Sequence, residues 1–179
     1  MPDSSIPVHI ARIALALVLL VQTPVSAQDV TEPALKGVFI YNFAKFTEWP
    51  VDAVPVAAPL VMCVFGDLAV GDALERAVKG RVIPGHAVTV VQGPAAASQQ
   101  VCNVIYVSGV TAGQAAQLVA GVRDVPVLTI SDIEGFTDLG GIVRFFFESG
   151  RLRFVIHLES AKRAGLQISS NLLALAKRQ

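Results

Sequence analysis

The segment from residue 142 to residue 157 constrains the fold of this chain more than any other. Two stretches of strand-forming residues, 142–148 and 151–157, are separated only by Ser149 and Gly150. A two-residue loop joins antiparallel strands and fixes their register. One face then pairs Phe147 with Leu152, Phe145 with Phe154 and Val143 with Ile156, and the other pairs Glu148 with Arg151, Phe146 with Arg153, Arg144 with Val155 and Ile142 with His157. The segment is predicted to be a β-hairpin with one core face and one partly polar face.

Continuous apolar runs indicate a different kind of strand earlier in the chain. The clearest run is LVMCVF at residues 60–65, which lacks the alternation of a strand with one face in water. Such runs are typical of parallel strands that are covered on both faces. The pattern predicts further strands at 88–92, 103–108 and 126–130, and helices at 33–48, 69–79, 111–121, 158–164 and from 170 onward. This order predicts a single three-layer α/β domain with a mixed, mostly parallel sheet, a late β-hairpin and helices on both faces.

Two of these helices carry specific local signals. Thr111 and Gln114 have the spacing of a capping box, which begins a helix. In the first helix, apolar residues recur at steps of three and four, the spacing of one helix face. We expect the following stripe to face the core: Leu35, Val38, Phe39, Asn42, Phe43 and Phe46. Pro50 is expected to end this helix, because proline disfavours the helical conformation of the residue before it.

Residues 1–27 have the pattern of a cleaved secretory signal peptide. Arg12 precedes the apolar run 13–21, which is shorter than the ~20 residues that span a bilayer. Small residues then fit a cleavage site after Ala27. The alternative is an uncleaved membrane anchor. Cleavage would leave residues 28–179 as one domain in the periplasm.

Two cysteines, Cys63 and Cys102, are the only ones in the chain. An even number of cysteines in an exported protein indicates a disulfide, because the compartment is oxidising. The alternative is a pair of buried thiols too far apart to bond.

Composition and motifs argue against several functional classes. Acidic and basic residues balance at 14 each, so no charge excess favours nucleic acid as a partner. No glycine-rich phosphate loop is present, no cofactor is implied, and no nucleophile–base pair marks a catalytic site. The histidines His86 and His157 lack metal-ligand spacing, so no metal site is predicted. His86 is expected to be solvated in a loop, and His157 to be a hydrogen-bonded structural residue.

The chain resembles the YfiR-type periplasmic regulatory family over nearly all of the predicted domain. The resemblance rests on the following segments: 37–50 (GVFIYNFAKFTEWP), 127–131 (VLTIS), 135–136, 140–142, 153–158 (RFVIHL), 164–170 (AGLQISS) and 172–173. Two departures stand out. The better-known member of the family has a second cysteine pair near the late hairpin, whereas residues 137–153 of this chain contain no cysteine. His157 stands where many members have Asn.

The resemblance implies a non-enzymatic regulator that represses a membrane-bound diguanylate cyclase by binding its periplasmic sensor region. It also implies that an OmpA-like outer-membrane lipoprotein relieves the repression, that cyclic-di-GMP and biofilm formation are the output, and that a homodimer is plausible.

Two surfaces are candidate sites under this hypothesis and its rival. For partner binding we expect the polar face of the hairpin and the helix after it, since aromatic and arginine side chains are enriched in interface hot spots. The residues are Arg144, Phe146, Arg153, Glu159 and Lys162. The rival is a small-molecule sensory domain with a ligand at the carboxyl ends of the parallel strands, where open α/β sheets bind ligands. Its candidate residues are Asp67, Ser108 and Asp132.

Overall fold

The structure is a computed structural model that describes residues 31–94 and 102–178. The predicted signal peptide lies outside these ranges. The described residues form five helices: α1 (Glu32–Lys45), α2 (Leu68–Val78), α3 (Ala112–Gly121), α4 (Leu158–Arg163) and α5 (Ser170–Leu175). They form nine strands: β1 (Thr47–Glu48), β2 (Leu60–Phe65), β3 (Val82–Ile83), β4 (His86–Gly93), β5 (Val104–Val107), β6 (Leu128–Ser131), β7 (Val143–Glu148), β8 (Arg151–Ile156) and β9 (Gln167–Ile168). None of the helices in these ranges has the length and apolarity needed to cross a membrane.

Seven strands form one mixed sheet in the order β3-β4-β2-β5-β6-β7-β8. The five strands from β4 to β7 pair in parallel with their neighbours. The two outer pairs, β3–β4 and β7–β8, are antiparallel. The predicted α/β class with a mostly parallel sheet is therefore confirmed. Since the parallel strands all run in one direction, their carboxyl ends lie at one end of the sheet and their amino ends at the other.

The sheet is covered on both faces, as the continuous apolar runs predict. Met62 and Val64 belong to a core cluster that includes residues of α1 and α2. Cys63 and Phe65 belong to a second cluster, which includes residues of α3. All four side chains are almost fully buried. Successive residues of β2 thus pack into opposite layers, and both layers are apolar. This explains why polar and apolar residues do not alternate along the run.

The β7–β8 hairpin has the predicted register at all six residue pairs. Ser149 and Gly150 both have positive φ, 50° and 72°, as a two-residue hairpin turn of type I′ requires. On the core face, Phe43 of α1 packs edge-on against Phe154, with ring centroids 4.9 Å apart. Phe147 departs from the expected burial and is 42% exposed. It lies beside the turn, beyond the Phe145–Phe154 pair against which α1 packs.

The buried face of α1 differs from the predicted stripe. Its buried residues are Lys36, Gly37, Ile40, Tyr41, Phe43 and Ala44, whereas Val38 and Phe46 are exposed. The reason is a close approach to α2. A Cβ atom on Gly37 would lie 2.8 Å from the backbone nitrogen of Leu74, so α1 turns its glycine side toward α2. The helix is apolar nearly all round, and its spacing alone does not show which side is covered.

The first helix also ends earlier than predicted. It stops at Lys45, and Thr47 and Glu48 form β1, which pairs with β9. The Thr47 hydroxyl donates to the carbonyl of Phe43 at 2.7 Å, and the amide of Ser169 donates to the carbonyl of Phe46 at 2.9 Å. Pairing with a strand far along the chain therefore replaces the last helical turn.

The disulfide between Cys63 and Cys102 is present, with Cα atoms 5.8 Å apart. It joins β2 to the residue two positions before β5, and both cysteines are buried under α3. The capping box of Thr111 and Gln114 is likewise confirmed.

His86 differs from its predicted role as a solvated loop residue. It opens β4 and is half-buried. Its Nδ1 atom lies 2.8 Å from the carbonyl oxygen of Ala58, which fixes that nitrogen as the donor. His157, by contrast, is the structural residue expected: it caps α4, and its Nδ1 accepts from the amide of Ser160.

Candidate functional site

The three predicted ligand residues lie just beyond the carboxyl ends of three parallel strands. Asp67 follows β2, Ser108 follows β5 and Asp132 follows β6. The first two turns pass very close to each other, because a Cβ atom on Gly66 would lie 2.0 Å from the carbonyl oxygen of Ser108. Gly66 also has a φ of +85°, a conformation that glycine tolerates best.

A buried lysine, which sequence reasoning missed, organises this end of the sheet. Lys36 of α1 is only 5% exposed. Its ammonium nitrogen lies 2.6 Å from Oδ2 of Asp132 and 2.5 Å from Oε1 of Glu32. The Tyr106 hydroxyl donates to the same Asp132 oxygen at 3.0 Å. We call these four residues the Lys36 cluster.

The surroundings of the cluster hold its charges in place. Burial would lower the pKa of Lys36, but hydrogen bonds to Asp132 and Glu32 outweigh it, so that pKa lies above its ordinary value of 10.5. Burial would raise the pKa of Asp132, but hydrogen bonds from Lys36, Ser108 and Tyr106 hold it below its ordinary 3.8. Burial and the charge of Asp132 raise the pKa of Tyr106. At neutral pH the cluster therefore contains an ammonium, an ionised Asp132 and a neutral phenol.

Such a cluster suits binding and orientation better than proton transfer. An amine that stays protonated is not a nucleophile, and a carboxylate with a lowered pKa is a weak base. Asp132 also receives several hydrogen bonds already. Within residues 31–94 and 102–178, no group of three or more His, Cys, Asp or Glu side chains is placed to hold a metal ion.

A cavity of about 340 Å³ opens beside the cluster and connects the two sets of predicted residues. It is lined by Glu32, Lys36, Asp132, Glu134, Arg144, Phe145, Phe146, Phe147 and Leu152. The ligand candidate Asp132 and the partner candidates Arg144 and Phe146 thus share one cavity. Asp67 does not line it; its Oδ1 accepts from the amide of Val70 and caps α2. Ser108 is buried and hydrogen-bonds to Asp132.

The polar face of the hairpin presents an aromatic ring between cations. Arg144 lies 4.9 Å from the centre of the Phe146 ring, and Lys177 lies 5.9 Å from it. Arg153 is the cross-strand partner of Phe146, and its Nε lies 4.0 Å from Glu148. Lys177 forms a second ion pair with Glu148. We call Arg144, Phe146 and Arg153 the hairpin surface.

The other two predicted partner residues lie elsewhere. Glu159 and Lys162 form an exposed ion pair of 2.9 Å on α4. This helix begins after His157, whose amide bonds to Ile142 at the end of the hairpin far from the turn. The structure therefore brings together Arg144, Phe146 and Arg153. Among the described residues, no hydrogen bond, ion pair or ring contact joins Glu159 or Lys162 to these three.

Comparisons with known proteins agree with this fold. A crystal structure of a conserved domain protein from Vibrio cholerae O1 biovar eltor str. N16961 is similar to 79% of the chain, with a TM-score of 0.53 and 14% sequence identity. The chain spans 59% of the length of that protein, and at this identity the likeness concerns the fold alone. The family model described as YfiR/HmsC-like matches residues 33–177, almost all of the described chain. The chain therefore belongs to the YfiR/HmsC-like family of periplasmic regulators.

Proposed function

We propose that this protein is a non-enzymatic periplasmic regulator that represses a membrane-bound diguanylate cyclase by binding the periplasmic sensor region of that enzyme. The observation that carries this proposal is the hairpin surface, where a half-exposed phenylalanine ring lies between cationic side chains. Family membership and the disulfide support the location. The fixed charges of the Lys36 cluster offer no acid–base pair for an enzyme.

The hairpin surface has the composition of an interface hot spot. Aromatic and arginine side chains contribute most where partners desolvate them. Here Arg144 and Lys177 already flank the ring of Phe146, so docking would cost less side-chain entropy than it would for an unsupported ring. A partner that presents acidic and apolar groups matches this surface.

Repression by such contact requires a difference in affinity. A soluble domain shifts a two-state membrane sensor only if it binds one state more tightly than the other. We propose that this protein binds the inactive state of the cyclase more tightly than the active state. An OmpA-like outer-membrane lipoprotein would relieve repression by competing for this protein.

Titration calorimetry with the isolated periplasmic sensor region of the cyclase tests the contact surface. We expect Phe146→Ala/Arg153→Ala to weaken binding by about tenfold or more. Glu159→Ala/Lys162→Ala should have a smaller effect, because these two side chains form an exposed ion pair with each other. The matched control is Arg76→Ala/Lys79→Ala, in α2 and at its C-cap, which removes two exposed cations elsewhere. Unchanged affinity in the Phe146/Arg153 variant would contradict this placement.

Cellular cyclic-di-GMP tests the biological output. Deletion of the gene should raise it, and the wild-type gene supplied in trans should restore it. A Cys63→Ser copy that fails to restore it would show that the disulfide is needed for regulation. No change on deletion would exclude repression of a cyclase.

A second candidate function is small-molecule sensing, and the 340 Å³ cavity favours it. Its volume falls within the range of known ligand pockets, and charged groups converge there beside aromatic rings. A metabolite that raises the melting temperature of the wild-type protein, but not of Arg144→Gln or Glu134→Gln, would support this function. Both functions hold together if the ligand changes the affinity for the partner.

A further inference from the structure

The two histidines of the described chain contact the backbone in opposite senses. Both are half-buried. Nδ1 of His86 lies 2.8 Å from the carbonyl oxygen of Ala58, whereas Nδ1 of His157 lies 3.2 Å from the amide nitrogen of Ser160. A carbonyl only accepts a hydrogen bond, and an amide N–H only donates one. The backbone therefore requires a proton on Nδ1 of His86 and a bare Nδ1 on His157.

Protonation of the ring has different consequences at the two positions. Both ring nitrogens of an imidazolium carry a proton. At His86 the added proton goes to Nε2, and the hydrogen bond from Nδ1 to Ala58 is retained. At His157 the added proton goes to Nδ1, the atom that accepts from the amide of Ser160, so that bond is lost. Only a neutral His157 can therefore cap α4.

The hydroxyl group beside His157 replaces the lost bond only in part. The Ser160 hydroxyl lies 2.8 Å from Nδ1 and would accept from a protonated ring. It already accepts from the guanidinium of Arg163 at 3.0 Å. The amide of Ser160 would still have lost its acceptor, and Ser160 is only 3% exposed. A buried donor without an acceptor is unfavourable.

The charged groups around His157 do not favour a positive ring on balance. Arg163 of α4 bonds to Ser160, and Arg123, which follows α3, lines a small cavity together with Ser160. Glu159 interacts with His157 in the favourable sense, but its side chain is 70% exposed, so solvent screens it. A positive charge at the amino end of α4 also opposes the helix dipole.

We infer that His157 is an acid-sensitive cap of α4. As the pH falls through the range of about 8 to 5 in which imidazole changes charge, the ring takes up a proton and the first turn of the helix loosens. Glu159 and Lys162, two of the predicted partner residues, lie in this helix, so acid changes the geometry of the surface that they form. The inference does not depend on the identity of the protein partner.

Long-range ¹H–¹⁵N NMR spectra of the imidazole rings test the protonation of each histidine, because they show which ring nitrogen carries the proton. The sample is the protein with its disulfide intact, at about pH 8, where imidazole is neutral. We expect the proton on Nε2 of His157 and on Nδ1 of His86. A proton on Nδ1 of His157 under these conditions would overturn the inference, since that nitrogen would not accept from Ser160.

Amide hydrogen exchange tests the loosening of α4. The reporters are the amides of Ser160 and Ala161, which donate to Nδ1 and to the carbonyl of His157. Between about pH 8 and pH 5, their protection factors in the wild type should fall by about fivefold, the effect of one helix cap. His157→Asn should show no fall, because its side-chain oxygen accepts throughout this range.

His86→Asn is the matched control, because it removes the other half-buried histidine and leaves the cap of α4 intact. Its Ser160 and Ala161 amides should lose protection with falling pH as in the wild type. An equal fall in wild type and His157→Asn, or no fall in the wild type, would overturn the inference.

Discussion

The two ends of the sheet are built on opposite principles. At the carboxyl ends, buried charges meet and satisfy one another around Lys36 and Asp132. At the amino ends, a cavity of about 500 Å³ is mostly apolar and is lined by Trp49, Val54 and Ile83. A satisfied ion cluster rigidifies the elements that it joins. An apolar cavity that opens to solvent is better suited to receive a ligand.

The two ends of the sheet also differ in how far their residues stabilise the fold. Lys36 joins α1 to the loop after β6 across 96 positions of sequence, and so fixes the layer that covers the hairpin. The apolar cavity is walled by the proline-containing loop before β2 and by the start of β4. Loops of this kind tolerate change better than a buried ion pair does.

The largest effect is expected from removal of the disulfide, which joins β2 to the segment before β5. Cys63→Ser/Cys102→Ser should lower the free energy of unfolding by about 4 kcal/mol, because the disulfide closes a loop of 39 positions. Urea unfolding of oxidised wild type and the double variant measures this. Reduced wild type should match the variant. A loss below about 1 kcal/mol would mean that noncovalent packing alone holds β2 beside β5.

The next largest effect is expected from removal of the ion pair between Lys36 and Asp132. Lys36→Ala should cost about 3 kcal/mol, because it leaves Asp132 partly buried without its cation. Lys36→Met/Asp132→Asn should recover most of that loss, since no uncompensated charge remains. Urea unfolding of both variants measures these two changes in stability, and Lys79→Ala is the control at an exposed position. If the double variant is no more stable than Lys36→Ala, the ion pair is not the source of the effect.

The pH dependence of stability should report the same pair with a smaller effect. The pKa of Asp132 is lowered on folding, so its contribution is complete above its ordinary 3.8 and is lost as the pH falls through the folded value. The pKa of Lys36 is raised, so its contribution is complete below 10.5 and is lost as the pH rises through the folded value. Thermal unfolding should show that the stability of wild type relative to Lys36→Met/Asp132→Asn is highest between these two limits and falls at both extremes of pH. Parallel curves across the whole range would contradict this.

The smallest test concerns a single helix cap at the end of the hairpin far from the turn. His157→Ala removes the acceptor for the amide of Ser160 and should cost about 1 kcal/mol. His157→Asn keeps an acceptor at the cap and should remain within about 0.5 kcal/mol of wild type. Differential scanning calorimetry of the two variants distinguishes a cap from a residue with another role. An equal loss in both would exclude capping.

The features that sequence reasoning predicted correctly are mainly those set by near neighbours. The hairpin register follows from a two-residue turn, and the capping box at Thr111 from a spacing of three. The disulfide was predictable for another reason, since two cysteines in an oxidising compartment leave one intramolecular pairing. Alternate burial along β2 was indicated by its uninterrupted apolar run.

The features that were missed depend on contacts distant in sequence. The Lys36–Asp132 pair joins residues that no local pattern connects. The one signal in the sequence is the spacing of Glu32 and Lys36, which lie one helical turn apart. Thr47 was assigned to a helix because its partner Ile168 lies far along the chain. The orientation of α1 was missed because that helix is apolar nearly all round, so only its neighbours show which side is buried.

The position of the disulfide has a consequence for how the chain matures. Cys63 lies in β2 and Cys102 lies two positions before β5, and the chain has no third cysteine with which either could mispair. Oxidation within one molecule therefore has a single product, whatever the order in which the strands assemble. Thiol–disulfide exchange with an oxidant is sufficient for this step. Maturation should need an oxidase but no isomerase.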